Sequence, residues 1–340
     1  MSTSTRPPLK VWITCDVEFW PMSPGWPVSP LPSERMGPAG FASEIAFYRD
    51  GRTPQGCFGL DYQLEVLARH DLKGVFFVEP LASERVGADD LRAVVSSITT
   101  RGQEVGLHLH PEWLGDFSHP AWPRRHAPGM HALDRDQQSA LIAHGLARLR
   151  EAGAGDVHAF RAGGFLANLA TLDALADHGL IFDSSLDAMY DASLPDLPNR
   201  TAMREPTRVG RITELPMSIF RTGDGRLRHA QICACSFGEL RAALERAYTA
   251  GWGHFVILLH NRELMAGPRQ PRPYRLYVRR FERLCAWLGR YRERFQTMHF
   301  RDLLGAHLDH DGAATSNANI AVPWHHTLRR YAEQALSRFV

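Results

Sequence analysis

The sequence predicts an α/β barrel, and three observations carry that prediction. Apolar runs of strand length alternate with segments of helical period about seven times along the chain. Such alternation gives a mainly parallel sheet, because each crossover helix returns the next strand in the same direction. The polar residues with the most chemistry to offer (Asp16, His108, His110, Arg161 and His260) all fall where a predicted strand stops, and the C-terminal strand ends of such barrels form the catalytic rim. A length of 340 residues with 44% hydrophobic content suffices for one domain of this kind.

Taken in order, the first strand is expected over 9–16 (LKVWITCD). The proline-dense stretch 20–40 is read as a loop, since proline donates no backbone hydrogen bond and fixes its own φ. Helical spacing over 58–72 leads to a β-rich run at 74–80 that Pro80 stops. A helix over 89–102 ends on Gly102 and is followed by a strand over 103–110. After a second loop, rich in Pro and His, come a helix at 134–153, a strand at 157–163, a helix at 166–179 and a short strand at 180–185. Residues 187–208 read as irregular, 211–220 as a strand and 237–251 as a helix. The most apolar strand, 254–261, precedes a long helix at 273–295, and QTMHF with RDLLGAH (296–307) closes the pattern.

Composition excludes several function classes. A formal net charge of +2 gives no reason to expect a nucleic-acid partner. No apolar run approaches a membrane span, and the N-terminus holds no secretory h-region, so we expect no membrane partner and a cytoplasmic location. Five cysteines without a CxxC pair argue against a disulfide framework, and CAC (233–235), whose side chains would share one face of a strand, reads as reduced cysteine.

GLHLHPEW (106–113) raises the chemical question. Residues i and i+2 of a strand share a face, so His108 and His110 can reach one ion. Imidazole suits Zn²⁺, with Co²⁺, Ni²⁺ or Mn²⁺ as alternatives. Glu112 is a reserve ligand if Pro111 turns the chain. In TCDVE (14–18), Asp16 and Glu18 repeat the i, i+2 arrangement, and two buried carboxylates on one face repel unless a cation or proton separates them. We assign Glu18 to the metal and Asp16 to the base, an assignment that could be reversed.

Arg161, in FRAGG, would pair bidentately with Asp16 and keep it ionised. Gly163 would allow close backbone approach to a substrate. His260, a polar ring after FVILLH's apolar run, is the candidate general acid. Asp183, with Ser184 and Ser185, braces the rim or binds substrate. Trp20 and Trp113, with Trp26 and Trp122, are placed in rim loops where a sugar could stack. Each residue also has a structural alternative: a core histidine satisfied by a carbonyl, a solvated glutamate, an ion pair across the rim.

The ordered set TCDVE, GLHLHP, FRAGG, FDSSL, ELP and LLHN resembles the polysaccharide deacetylase (NodB-homology, carbohydrate esterase 4-like) superfamily over roughly 9–307, in a divergent branch with DVE and HLHP signatures. The resemblance implies a deformed (β/α)₇ barrel and metal-dependent removal of an N-acetyl, less often O-acetyl, group from a carbohydrate. It maps the base onto Asp16, its brace onto Arg161, the acid onto His260, and the metal set onto Glu18, His108 and a second histidine. Val17 separates acids that are adjacent in the usual motif, and the residue four after His108 is Glu112 rather than histidine. Two other functions fit: an amidase acting on linear or cyclic non-sugar amides, and a catalytically silent sugar-binding or scaffold protein. We expect a catalytic domain over 1–308 with rim loops at 20–57 and 111–133, a linker at 309–323, and an amphipathic helix at 324–340. That helix packs back on the body or joins copies of the chain into a homo-oligomer.

Overall fold

Strand β1 (Leu9–Val17) buries every residue except the partly exposed Lys10. A strand so uniformly buried belongs inside a parallel sheet covered by helices. Its neighbours are β8 (His254–His260) along one edge and, on the other, β9 (Phe295–Thr297) beside its first residues and β2 (Gly74–Val78) beside its last. The computed structural model that establishes this arrangement describes residues 6–20, 47–116, 120, 122, 125–266, 271–305 and 319–336.

The sheet continues from β2 through β3 (Glu104–Leu109), β4 (Ala159–Ala162), β5 (Phe182–Asp183) and β7 (Ile212–Glu214), all parallel. Strand β6 (Thr207–Val209) adds an antiparallel edge to β7. Seven parallel strands thus run in the order β8-β1-β2-β3-β4-β5-β7, which matches the expected barrel. The sheet curls without closing by strand pairing. Between β7 and β8 the gap is spanned by irregular chain: Leu258 N–H donates to Ala230 O (2.8 Å), Ile232 N–H to Leu258 O (3.2 Å), and Val256 N–H to Ser218 Oγ (2.9 Å).

The covering helices α1 (Leu60–Arg69), α2 (Ala88–Thr99), α3 (Arg135–Glu151), α4 (Leu169–Asp177), α5 (Phe237–Ala250) and α6 (Arg275–Arg290) bury their apolar stripes against the sheet. Capping boxes start three of them: Asp134 with Gln137, Asn168 with Thr171, and Ser236 with Glu239. Each box satisfies two backbone N–H groups that the first turn leaves unpaired.

Several elements depart from expectation. The strand expected over 211–220 breaks after Glu214, with Pro216 following in the sequence, and resumes as a hairpin of Ile219–Arg221 with Leu227–His229. Proline offers no N–H to continue a ladder. Strand β6 begins inside the stretch 187–208 expected to be irregular. The CAC segment falls in a turn rather than on a strand, and all five cysteines are free.

The last helix, α7 (Trp324–Leu336), packs on α5. Arg330 pairs with Glu239 at 3.0 Å with both side chains buried, and Thr327 Oγ1 donates to Glu239 Oε1 at 2.9 Å. Within the expected linker, Ala321 bridges to Arg221, and Ile320 and Val322 are buried, so 319–323 belongs to the body. Residues 309–318, Trp26 and most of the first rim loop lie outside the described residues. Among the described residues, no helix is long and apolar enough to cross a membrane.

Candidate metal centre at the barrel rim

The strand register brings the candidate residues to one rim. Asp16, the penultimate residue of β1, pairs with His260 at the end of β8, and His108 on β3 pairs with Arg161 on β4. Glu18 follows β1 directly, and all five side chains lie at the C-terminal ends of their strands.

Three ligand-type atoms converge there. Glu18 Oε1 lies 3.3 Å from His108 Nε2 and 3.0 Å from His110 Nε2, and the two Nε2 atoms are 3.1 Å apart. Their remaining atoms fix which lone pairs point inward. His108 Nδ1–H donates to the Arg161 carbonyl (2.7 Å), and His110 Nδ1–H donates to Glu112 Oε2 (3.2 Å). With a proton on Nδ1 only, the form that binds a metal, each ring would aim an Nε2 lone pair at the glutamate oxygen and at the other ring. Three acceptors crowded in this way repel unless protons or a cation lie between them.

Ligands about 2.0–2.1 Å from a tetrahedral ion stand about 3.3 Å from one another, so the three atoms fit one face of such a site. The donor set of two imidazoles and one carboxylate suits Zn²⁺ and similar divalent ions. Glu112 holds His110 from the side away from the cluster. The reserve-ligand reading therefore gives way to that of a carboxylate orienting a histidine.

Asp16 and His260 complete a second set with Glu18, their ligand-type atoms lying within 4.8 Å of one another. Asp16 Oδ1 accepts from Arg161 Nη1 at 2.7 Å. The expected bidentate pairing is absent: Nη1 also donates to Thr14 Oγ1 (2.9 Å), while Nε and Nη2 donate to Ser184 O (3.1 Å) and Ser184 Oγ (3.0 Å). Arg161 is fully buried, its guanidinium carbon 4.4 Å from the Phe77 ring centre, and with Nη2 also on Met217 Sδ (3.6 Å) its donors are spread over one charged and three neutral partners. His260 Nδ1 contacts Glu263 Oε1 at 2.7 Å, and its Nε2 stands 3.9 Å from Glu18 Oε1.

The carboxylates and imidazoles at this rim shift one another strongly. Burial alone would raise the Glu18 carboxyl, yet His260, His108 and His110 hold it well below the usual range. Burial would lower His110, but Glu112 and Glu18 outweigh it and push the ring up to about 10. For His260, Glu18, Glu263 and Asp16 overcome burial and raise it to about 9. Cys15, beside Asp16, is driven well above the ordinary thiol range by burial, which leaves it inert as a nucleophile.

Four expected substrate contacts need correction. Trp113 is 1% exposed, turned into the core by the short 3₁₀ helix Pro111–Gly115, so it offers no face to a sugar. Trp122 is likewise buried. Asp183 is fully buried, accepting from Ser185 Oγ (2.6 Å) and pairing with Glu214 in register, and burial raises its carboxyl. Gly163 does serve close approach, but to His110: a Cβ there would meet His110 Nδ1 at 2.5 Å. Trp20 remains at the site, half-buried, its Nε1–H donating to Glu18 Oε2 at 2.6 Å. Arg262, Asn261 and Glu263 had no assigned role in the sequence; the first two reach Glu18 only through the fold, and Glu263 reaches His260 across one local turn.

No protein-family model matches the chain, and no curated protein matches it. Solved structures do match. A protein of Mycobacterium smegmatis, provisionally named a polysaccharide deacetylase, superposes with a TM-score of 0.52 at 17% identity, over 86% of this chain and 88% of that one. A 4-α-glucanotransferase of Thermococcus litoralis gives 0.51 at 13% identity, over 93% of this chain and 42% of that one. A family 4 carbohydrate esterase of Streptomyces lividans, in complex with acetate, gives 0.37 at 14% identity, over 84% and 91%. At these identities the first two likenesses establish the fold alone: the chain has the same curled barrel as the Mycobacterium smegmatis protein and the glucanotransferase.

Proposed function

From a chain with that barrel and this rim, we propose a metal-dependent hydrolase that removes an acetyl group from an N-acetylated carbohydrate. One observation carries the reading: Glu18 Oε1, His108 Nε2 and His110 Nε2 converge within 3.0–3.3 Å beside an arginine-held Asp16. When bound, a divalent metal supplies Lewis acidity, making water a nucleophile near neutral pH and polarising a carbonyl. Glu18, His108 and His110 would hold it. Asp16, aimed by Arg161, would accept the proton of the attacking water. His260, oriented by Glu263 through Nδ1, would give a proton from Nε2 to the departing amine nitrogen. Of the four tryptophans expected at the rim, Trp20 is the candidate for a sugar contact among the described residues.

The barrel alone does not choose the reaction, since a glucanotransferase shares it. The surroundings of the acids favour hydrolysis at a metal over glycosyl transfer. Glu18 faces two imidazoles and Asp16 faces a guanidinium, whereas glycosidic chemistry needs two carboxyls flanking an open sugar position.

Acetate release from a panel of N-acetylated saccharides, measured with and without added Zn²⁺ or Co²⁺, tests the proposal. We expect metal-dependent release from at least one saccharide and its loss on chelation. Hydrolysis confined to non-sugar amides would replace the carbohydrate reading with the amidase one. A protein that neither retains stoichiometric metal nor releases acetate would be the silent form.

A further inference from the structure

Glu18 uses its two carboxylate oxygens differently. Oε1 faces the imidazoles, while Oε2 is turned away and accepts from Trp20 Nε1 at 2.6 Å and pairs with Arg262 Nη2 at 3.0 Å. The main chain of Glu18 is gripped as well. Asn261 Oδ1 accepts from Glu18 N–H at 3.2 Å, and Asn261 Nδ2 donates to the Glu18 carbonyl at 3.1 Å. Those are the two bonds a neighbouring strand would make if β1 continued past Val17.

Each gripping side chain is itself restrained. Asn261 is fully buried, and its own N–H donates to Asp16 O at 3.2 Å. Arg262 lies over the Trp20 ring, 5.9 Å from its centre. The Trp20 indole stands edge-on to His110 with ring centres 4.5 Å apart. A glutamate has one more rotatable bond than an aspartate, and a carboxylate with both oxygens free can bind an ion through either or both. Here one oxygen is occupied and the backbone is pinned.

We propose that Trp20, Asn261 and Arg262 are positioning residues that present Glu18 Oε1 alone to the metal and fix it there before the ion arrives. This rests on the metal reading above. It also accounts for the spacing of TCDVE: with Val17 between the acids, the second one needs glutamate's length and a clamp on its outer oxygen.

The test compares Zn²⁺ affinity of the full-length wild type with that of Trp20→Phe and Arg262→Lys, by competition with a chromophoric chelator, together with the visible spectrum of the Co²⁺ forms. Phenylalanine keeps the ring and loses the N–H; lysine keeps the charge and loses the planar fork, so Coulomb repulsion of the ion is unchanged. Each substitution should weaken binding by about 10-fold, and the pair by up to about 100-fold, the usual range for residues that orient a ligand. The Co²⁺ bands should shift as Glu18 changes its mode of attachment. Trp20 is half-buried and the Arg262 side chain is 39% exposed, and melting of the metal-free variants checks that both fold. Affinities within twofold of wild type and unshifted Co²⁺ bands overturn the clamp. A wild type that binds no Zn²⁺ overturns the metal reading and the clamp with it, whereas the variant-to-wild-type ratio tests the clamp alone.

Discussion

The two ends of the barrel bury polar side chains for opposite purposes. At the base, Gln103 and Glu104 close main chain. Gln103 accepts from Gly74 N–H (2.6 Å) and donates to Leu72 O (3.1 Å), and Glu104 accepts from Phe300 N–H (2.5 Å) and Arg301 N–H (3.0 Å). At the rim, Glu18, His108 and His110 turn their ligand-type atoms toward one another around a shared centre rather than toward main chain. Buried acceptors paired with backbone donors stabilise a fold; acceptors facing each other are tolerated where a ligand uses them. Substitutions at the base should therefore cost stability and spare metal affinity, and substitutions at the rim should do the reverse, unless a rim residue also carries an uncompensated charge.

Asp16→Asn gives the largest effect. Without the base, turnover should fall by about 10²–10⁴-fold or more, while metal content measured by elemental analysis stays near wild type. Loss of the metal instead would exchange the roles of Asp16 and Glu18.

Arg161→Met should break the comparison from the rim side. It leaves the Asp16 carboxylate buried and unpaired, at a cost of about 3–5 kcal/mol in urea unfolding, because the ion pair lies 2.7 Å apart and out of solvent. A loss under about 1 kcal/mol would mean that solvent or Thr14 compensates for the missing guanidinium.

Glu104→Gln sharpens the comparison from the base. Burial pushes the Glu104 carboxyl up to about 7 despite the two N–H groups it accepts. The fold thus favours its protonated form, giving stability that is fully present below the unfolded pKa near 4.5 and lost as pH rises through about 7. Glutamine cannot ionise, so the stability difference between variant and wild type should drift in the variant's favour by roughly 3 kcal/mol at most across that window. His299, lowered to about 4 by burial and by Arg301, titrates in both proteins and cancels from the difference. Metal affinity should not move.

Gly163→Ala gives the smallest effect. The added methyl would press on the His110 ring, costing about 1–3 kcal/mol and roughly tenfold in metal affinity. Unchanged affinity would show that the ring shifts without leaving the site.

Much of this was legible in the sequence where a local rule sufficed. The period-2 rule puts His108 with His110 and Asp16 with Glu18 on common faces, and strand ends identify Arg161 and His260. What failed depended on where the chain turns next. Pro111 begins a 3₁₀ turn that sends Trp113 into the core and swings Glu112 behind His110, and nothing local distinguishes that from an exposed loop. For Asp183 the sequence left bracing and substrate binding both open; the register with Glu214 buries both acids and leaves the bracing role. Asn261 and Arg262 reach Glu18 across 243 and 244 positions of sequence, contacts that only the β1–β8 pairing creates. The break in the expected strand at 211–220 did have a signal, Pro216, which proline's missing N–H makes a stop.

The most direct test is diffraction from crystals soaked in Zn²⁺, with data collected above and below the zinc absorption edge. The account predicts one anomalous peak at the rim, about 2.0–2.2 Å from Glu18 Oε1, His108 Nε2 and His110 Nε2. A peak elsewhere with none at that point, or side chains turned apart around water, would contradict it.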